Sequence, residues 1–202
     1  MKKLLSVLSS TLQGGVRGGL LFLLFFASVS AIYASDIKVG GIWYDFDSST
    51  KTASVTYRGS NYNSYADEYS GSVTIPETVT YNGTTYSVTS IGSSAFYDCS
   101  LLTSVIIPEG VTKIESDAFY NCDRLASVTL PKTLVTIGSE AFYSCDKLAT
   151  VTIGSGVTKI YKNAFYYCGN LTIYCEAESK PDGWDENWNP DNRPGVWGYK
   201  GK

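Results

Sequence analysis

Leu102-Thr-Ser-Val-Ile-Ile-Pro-Glu-Gly-Val-Thr-Lys-Ile-Glu-Ser-Asp-Ala-Phe-Tyr-Asn-Cys122 is the stretch that decides the fold, because it recurs. The pair Ala-Phe stands at Ala95-Phe96, Ala118-Phe119, Ala141-Phe142 and Ala164-Phe165, always 23 residues apart. The same step relates Ile91, Ile114, Ile137 and Ile160, and it relates Cys99, Cys122, Cys145 and Cys168. Leu102, Leu125, Leu148 and Leu171 make a fourth column, and Val88, Val111, Leu134 and Val157 a fifth. Columns that agree in phase define a repeat, and a repeat of this length signals stacked units.

The consensus reads L-x-x-V-x-I-P-x-x-V-T-x-I-x-x-x-A-F-Y-x-C. Leu102, Val105 and Ile107 are expected to face one way and Ser104 and Ile106 the other, a short half-buried strand. Pro108 ends it, having no amide hydrogen for a ladder. Val111 to Ile114 reads as a second short extended piece. From Ser116 to Cys122 the apolar residues fall at spacings of three and four, which predicts a single helical or 3₁₀ turn. One unit has too few apolar side chains to close a core, so the units must stack.

The flanks follow from the same phase. Val73-Thr-Ile75-Pro76 is a partial unit whose next valine arrives late. Tyr81-Asn-Gly-Thr84 in the extra stretch carries a two-residue hairpin signal. Leu171-Thr-Ile-Tyr-Cys175 fits the strand with one residue deleted, which puts Cys175 at a core position. Ile42 to Phe46 and Ala53 to Tyr57 are β-rich runs joined by residues 47–51, expected to form a hairpin over the first unit. Residues 176–202 carry Trp184, Trp188, Trp197 and Tyr199 among Pro and Gly, and large aromatics laid over an open end would hide it from water.

These residues resemble the BspA-like, or treponemal-type, leucine-rich repeats of bacterial surface and secreted proteins, over about residues 70–175. The resemblance implies a β-rich α/β solenoid, a short right-handed array of 23-residue coils with a parallel sheet on its concave side. It also implies adhesion to host extracellular proteins or to other cells. The chain then divides into a signal peptide (1–34), a β-rich N-terminal cap (36–70), a leucine-rich-repeat solenoid of about four to five coils (71–175) and an aromatic C-terminal cap (176–202).

The first residues are different material. Lys2, Lys3 and Arg17 precede the apolar run Leu20 to Phe26, and small residues follow at Ala27, Ser28, Ser30, Ala31 and Ala34. That order predicts export through a secretory signal, cleaved after Ala31 or Ala34, with retention as an anchor the alternative. Cleavage removes three of the 16 Lys+Arg and none of the 19 Asp+Glu, leaving a formal net charge of −6. Nucleic acid and, after cleavage, anionic membranes are therefore poor partners.

The chemistry-bearing residues are sparse. Histidine is absent, which excludes Ser-His and Cys-His nucleophiles and His-ligated metals. The cysteines lack metal spacing, and their column is read as buried structural thiols. Asp45 and Asp47 read as solvated turn residues. Asp185, Asn187, Asn189 and Asp191 alternate like calcium ligands, but Pro190 and Val196 stand where a calcium loop needs Gly and Glu, so a turn-rich cap is the better account. We expect no catalytic site, cofactor or metal.

Two surface columns remain as candidate partner-binding residues. Ser104/Ile106, Ser127/Thr129 and Thr150/Thr152 extend a strip begun by Ser72/Thr74, either a contact surface or well-solvated strand. Tyr97, Tyr120, Tyr143 and Tyr166 each follow a core Phe and serve either a partner or the packing of ring on ring. The leading expectation is a secreted or cell-surface protein-binding module. The alternatives are glycan recognition by surface Tyr and Trp and, ranked last, ice or mineral binding by Thr150-Val-Thr152.

Overall fold

The computed structural model describes residues 37–59, 61–62 and 66–201; the expected signal segment lies outside them. Strand β1 (Ile37–Val39), β2 (Ile42–Asp47) and β3 (Thr52–Thr56) form an antiparallel meander. The repeats follow as β4 (Gly71–Thr74), β5 (Thr78–Tyr81), β6 (Thr84–Ile91), β7 (Leu102–Ile106), β8 (Lys113–Ile114), β9 (Ser127–Thr129), β10 (Thr136–Ile137), β11 (Thr150–Ile153), β12 (Lys159–Ile160), β13 (Thr172–Cys175) and β14 (Gly195–Val196).

Each repeat contributes one strand to each of two ladders. In the first, β6, β8, β10 and β12 run parallel, and Ile91, Ile114, Ile137 and Ile160 stand opposite one another. Strand β3 adds parallel to β6 and joins the meander to this sheet. In the second, β4-β7-β9 and β11-β13-β14 are parallel sets, with β9 beside β11 but no registered pairing between them. A bulge lets Leu102, Val105 and Ile107 all point inward despite unequal spacing: Gly71 pairs with Leu102 and Ser72 with Ser104, which leaves Thr103 unpaired.

The Asn82-Gly83 signal is realised as a hairpin between β5 and β6. Tyr81 faces Thr84, and both turn residues have positive φ (48° and 75°), as a primed two-residue turn requires. Ile42 to Phe46 and Ala53 to Tyr57 also pair as expected, within β2 and β3. Cys175 is fully buried, at the core position its phase indicated.

The helical turn and the α part of the expected fold class are corrected: the described residues contain no α-helix, and residues 71–175 contain no helix of any kind. Between Ser116 and Cys122 the amides of Asp117, Phe119 and Asn121 bond to the next repeat, while those of Tyr120 and Cys122 close single turns onto Asp117 O and Phe119 O, so no helical run forms. Phe96 N–H donates to Ala118 O, Phe119 to Ala141 and Phe142 to Ala164, each at 2.8 Å. Asn121 N–H likewise donates to Tyr143 O. The backbone turns at left-handed residues, Ser94, Asp117, Glu140 and Asn163 in one column and Asp98, Asn121, Ser144 and Tyr167 in another. Spacings of three and four thus mark a succession of turns whose inward residues coincide with those of one helical turn. Asp and Asn tolerate that conformation best among non-glycine residues.

The core is a set of columns. Phe96, Phe119, Phe142 and Phe165 stack nearly parallel, with centroids 4.9, 5.1 and 5.3 Å apart. Tyr69 continues the stack at one end, 4.6 Å from Phe96, and Trp188 meets Phe165 edge-on at the other, at 6.0 Å. All five cysteines are buried and unbridged. Three thiols donate to carbonyls of this column, Cys122 to Phe96 O (3.1 Å), Cys145 to Phe119 O (3.2 Å) and Cys168 to Phe142 O (2.9 Å). That role suits Cys, which is compact and apolar yet keeps a weak donor.

Candidate interaction surface

The tyrosines predicted from sequence form one aromatic edge. Each follows a core Phe across a turn, so when the Phe points in, the Tyr lies on the rim. Tyr97 and Tyr120 stack at 4.9 Å and 6°, and Tyr120 and Tyr143 at 4.5 Å and 3°. Tyr143 then meets Tyr166 edge-on at 5.7 Å, while Tyr166 stacks on Tyr167 at 4.1 Å. Sequence reasoning missed three members. Tyr57 and Tyr62 extend the edge past Tyr97, and Tyr167 extends it past Tyr166. The doubled Tyr166-Tyr167 was the available signal. Tyr57 and Tyr62 lie outside the repeat phase.

Tyr97, Tyr120, Tyr143 and Tyr166 are half-buried, and Tyr62 and Tyr167 are exposed. Burial, reinforced by the Tyr143 and Tyr97 neighbours, pushes the Tyr120 phenol up to about 12. Burial raises Tyr97 as well, and a hydrogen bond with Tyr167 raises Tyr166. These three stay neutral hydroxyls at ordinary pH, able to donate and to accept. Tyr167 has φ 56°, a conformation that bulky residues rarely adopt.

The hydroxyl strip lies on the outer face of the second ladder. Ser104 pairs with Ser72 and Ser127, and Ile106 with Thr74 and Thr129. Thr150 and Thr152 pair with Thr172 and Tyr174. Ser104 Oγ donates to Ser72 Oγ at 2.8 Å. Ile106, 47% exposed, is the apolar point of the strip, and Tyr174 carries Tyr199 at 4.7 Å. The strip and the tyrosine edge belong to different segments of the repeat and do not merge into a single site.

Asp45 is not the solvated turn residue expected: it lies within β2 opposite Ser54, half-buried with Oδ1 unpartnered among the described residues, and burial raises its carboxyl against a hydrogen bond with Thr56. The other acidic and amide candidates are turn formers. Asp47 Oδ1 accepts from Ser49 N, Ser49 Oγ and Thr50 N, and these bonds hold its carboxyl at about 2. Asp185 Oδ1 accepts from Asn187 N, Asn189 Oδ1 from Arg193 N, and Asp191 Oδ2 from Arg193 Nη2 and Tyr167 N. Oxygens that looked like calcium ligands thus close turns of the tail.

The chain's relatives agree with this architecture. A family model described as a BspA type leucine rich repeat region matches residues 59–177 in six copies. A leucine-rich repeat protein from Bacteroides capillosus is 32% identical, with a TM-score of 0.58 over 71% of this chain and 99% of that one. Another from Bacteroides ovatus is 30% identical with a TM-score of 0.53, over 74% of this chain and 42% of that one. The T. pallidum leucine rich repeat protein shares the fold, with a TM-score of 0.54 at 21% identity over 81% of this chain and 82% of that one. No curated protein matches the chain. With its repeats matched over more than half its length, this chain belongs to the BspA-type leucine-rich-repeat family.

Proposed function

We propose that this chain is an exported, protein-binding repeat module of adhesion type, without catalytic activity, whose tyrosine edge engages an extracellular protein. In this reading residues 1–34 direct export, residues 71–175 form a right-handed solenoid, and residues 36–70 and 176–202 cap its ends. Repeats of this family are typically non-catalytic scaffolds.

The observation that carries the proposal is Tyr167. A left-handed conformation costs an L-residue about 1–2 kcal/mol, and strained residues gather where function requires them. The equivalent positions hold Asp98, Asn121 and Ser144, yet here the chain holds an exposed tyrosine in line with the aromatic edge. Tyrosines offer rigid contact area with a polar tip and are enriched among interface anchors, whereas Ser and Thr are under-represented. The edge therefore ranks above the hydroxyl strip, with Ile106 and Thr129 a secondary patch.

The test is binding of the mature chain to a panel of immobilised extracellular host proteins, wild type against Tyr120→Ser/Tyr143→Ser. Retained folding with affinity lowered about tenfold or more supports the edge. Unchanged binding together with a collapsed melting point makes the tyrosines structural and moves the site to the strip.

A further inference from the structure

We infer that a notch over Gly138, on the first ladder, is a binding site for one pyranose ring of a glycan. Strands β8, β10 and β12 end side by side, and the next residue of each is Glu115, Gly138 and Tyr161. Their amides stay in the ladder: Glu115 N–H donates to Ile91 O, Gly138 to Ile114 O and Tyr161 to Ile137 O, at 2.8–3.0 Å. Adjacent strands lie about 4.8 Å apart, so Glu115 and Tyr161 stand about 10 Å apart with no side chain between them. The gap admits a layer one ring thick. No residue but glycine fits beneath it, because a Cβ at 138 would lie 2.5 Å from the Glu115 carbonyl carbon and the Ser116 nitrogen. The cavity measures about 310 Å³.

Its lining selects the ligand. Tyr161, 47% exposed, forms one wall. On the other, Ser93 N and Oγ donate to Glu115 Oε2 at 3.3 and 3.1 Å, which holds the carboxylate and leaves Oε1 without a partner among the described residues. Lys113 lines the same cavity but forms no ion pair with Glu115 among the described residues. Lys113, Glu115, Thr136 and Ser139 thus line one space, whose lining residues carry no formal net charge.

A guanidinium brings donors only and would face Lys113 as a like charge, and a phosphate would face Glu115 in the same way. A wholly apolar group would desolvate both charges uncompensated. A sugar ring meets each requirement, with an apolar face to lay on Tyr161 and hydroxyls that both donate to Glu115 and accept from Lys113. None of the edge tyrosines lines the notch, so this site stands or falls separately from the tyrosine edge.

The experiment is ligand-observed saturation-transfer NMR on the full folded chain with methyl glycosides of glucose, galactose, mannose and N-acetylglucosamine, followed by titration. At least one is expected to bind, with a Kd on the order of 1 mM. Tyr161→Ala is expected to weaken it about tenfold or more and Glu115→Gln severalfold. Both positions are exposed, so the melting point is expected to hold within a few degrees, and Tyr120→Ser serves as the control that leaves sugar binding unchanged. The proposal is overturned if no glycoside binds, if binding survives Tyr161→Ala, or if arginine amide or inorganic phosphate displaces the sugar and binds there better.

Discussion

Phe119 and Gly138 show how much of this fold rests on single residues. Phe119 is fully buried and stacked on both sides, by Phe96 and Phe142. Its truncation to Ala is expected to remove about 3–5 kcal/mol, the usual loss for an emptied aromatic site, against a total of about 5–15 kcal/mol for a domain. Thermal unfolding followed by circular dichroism checks it, and a melting point unchanged within a few degrees would contradict the inward orientation. Gly138 makes the opposite point, since here the addition of a methyl group is the injury. With backbone 2.5 Å from the new Cβ, Gly138→Ala is expected to lose about 1–3 kcal/mol by overpacking. Gly169→Ala meets nothing within 4 Å and is the matched control. Equal denaturation midpoints for the two variants would show that the repeats can slide apart to make room.

At the scale of the element, the cysteine column couples the core to pH. Burial pushes Cys99 and Cys175 up to about 11, and Cys122 and Cys145 well above the ordinary thiol range. An acid whose folded-state value is raised binds its proton more tightly when folded. Stability is therefore fully present below about pH 9, the ordinary thiol value here, and is lost as pH rises towards 11. Each of the two thiols contributes roughly 1–3 kcal/mol to that loss. The expected result is a lower urea midpoint at pH 10.5 than at pH 8, with part of the difference abolished in Cys99→Ala/Cys175→Ala. A second measurement addresses the same column: a thiol reagent is expected to label little folded protein and all five sites after denaturation. Labelling of only the one thiol that an odd count leaves unpaired in a monomer would show the other four to be oxidised.

Across the repeats, stability is shared between neighbours, and the ends are the weak points. Beyond Cys175 the repeat consensus is lost, yet the stacking continues. Trp184 bridges to Ile160 and donates its indole N–H to Val157 O at 3.0 Å, Asn163 N–H donates to Asn187 O, and β14 adds to β13. The tail thus completes the last repeat with tryptophans in place of the regular columns. Trp188→Ala, which bares Phe165, is expected to weaken this end by about 3–5 kcal/mol. Hydrogen exchange is expected to speed up at Leu171–Cys175 before it does at Leu102–Ile106. Uniform acceleration across both would show that the array unfolds as one cooperative unit instead.

The amino-acid sequence by itself determined the repeat, its phase and its inward columns, because periodic apolar residues leave stacking as the only way to bury them. It also determined the Asn82-Gly83 hairpin, since Asn-Gly suits a turn with positive φ at both positions. Tertiary structure decided what local spacing leaves degenerate. Ala118, Phe119 and Cys122 satisfy a helical turn and a stacked series of left-handed turns equally well. The choice was made by the amides of each repeat finding carbonyls in the next, a partner 22 residues away that local spacing does not reveal. The tyrosine edge was legible where it kept phase, at Tyr97, Tyr120, Tyr143 and Tyr166, and illegible at Tyr57 and Tyr62, which reach it from outside the repeat. The notch was written in the column Gly92, Glu115, Gly138 and Tyr161, but a missing side chain becomes a cavity only when its neighbours on both sides are fixed in space.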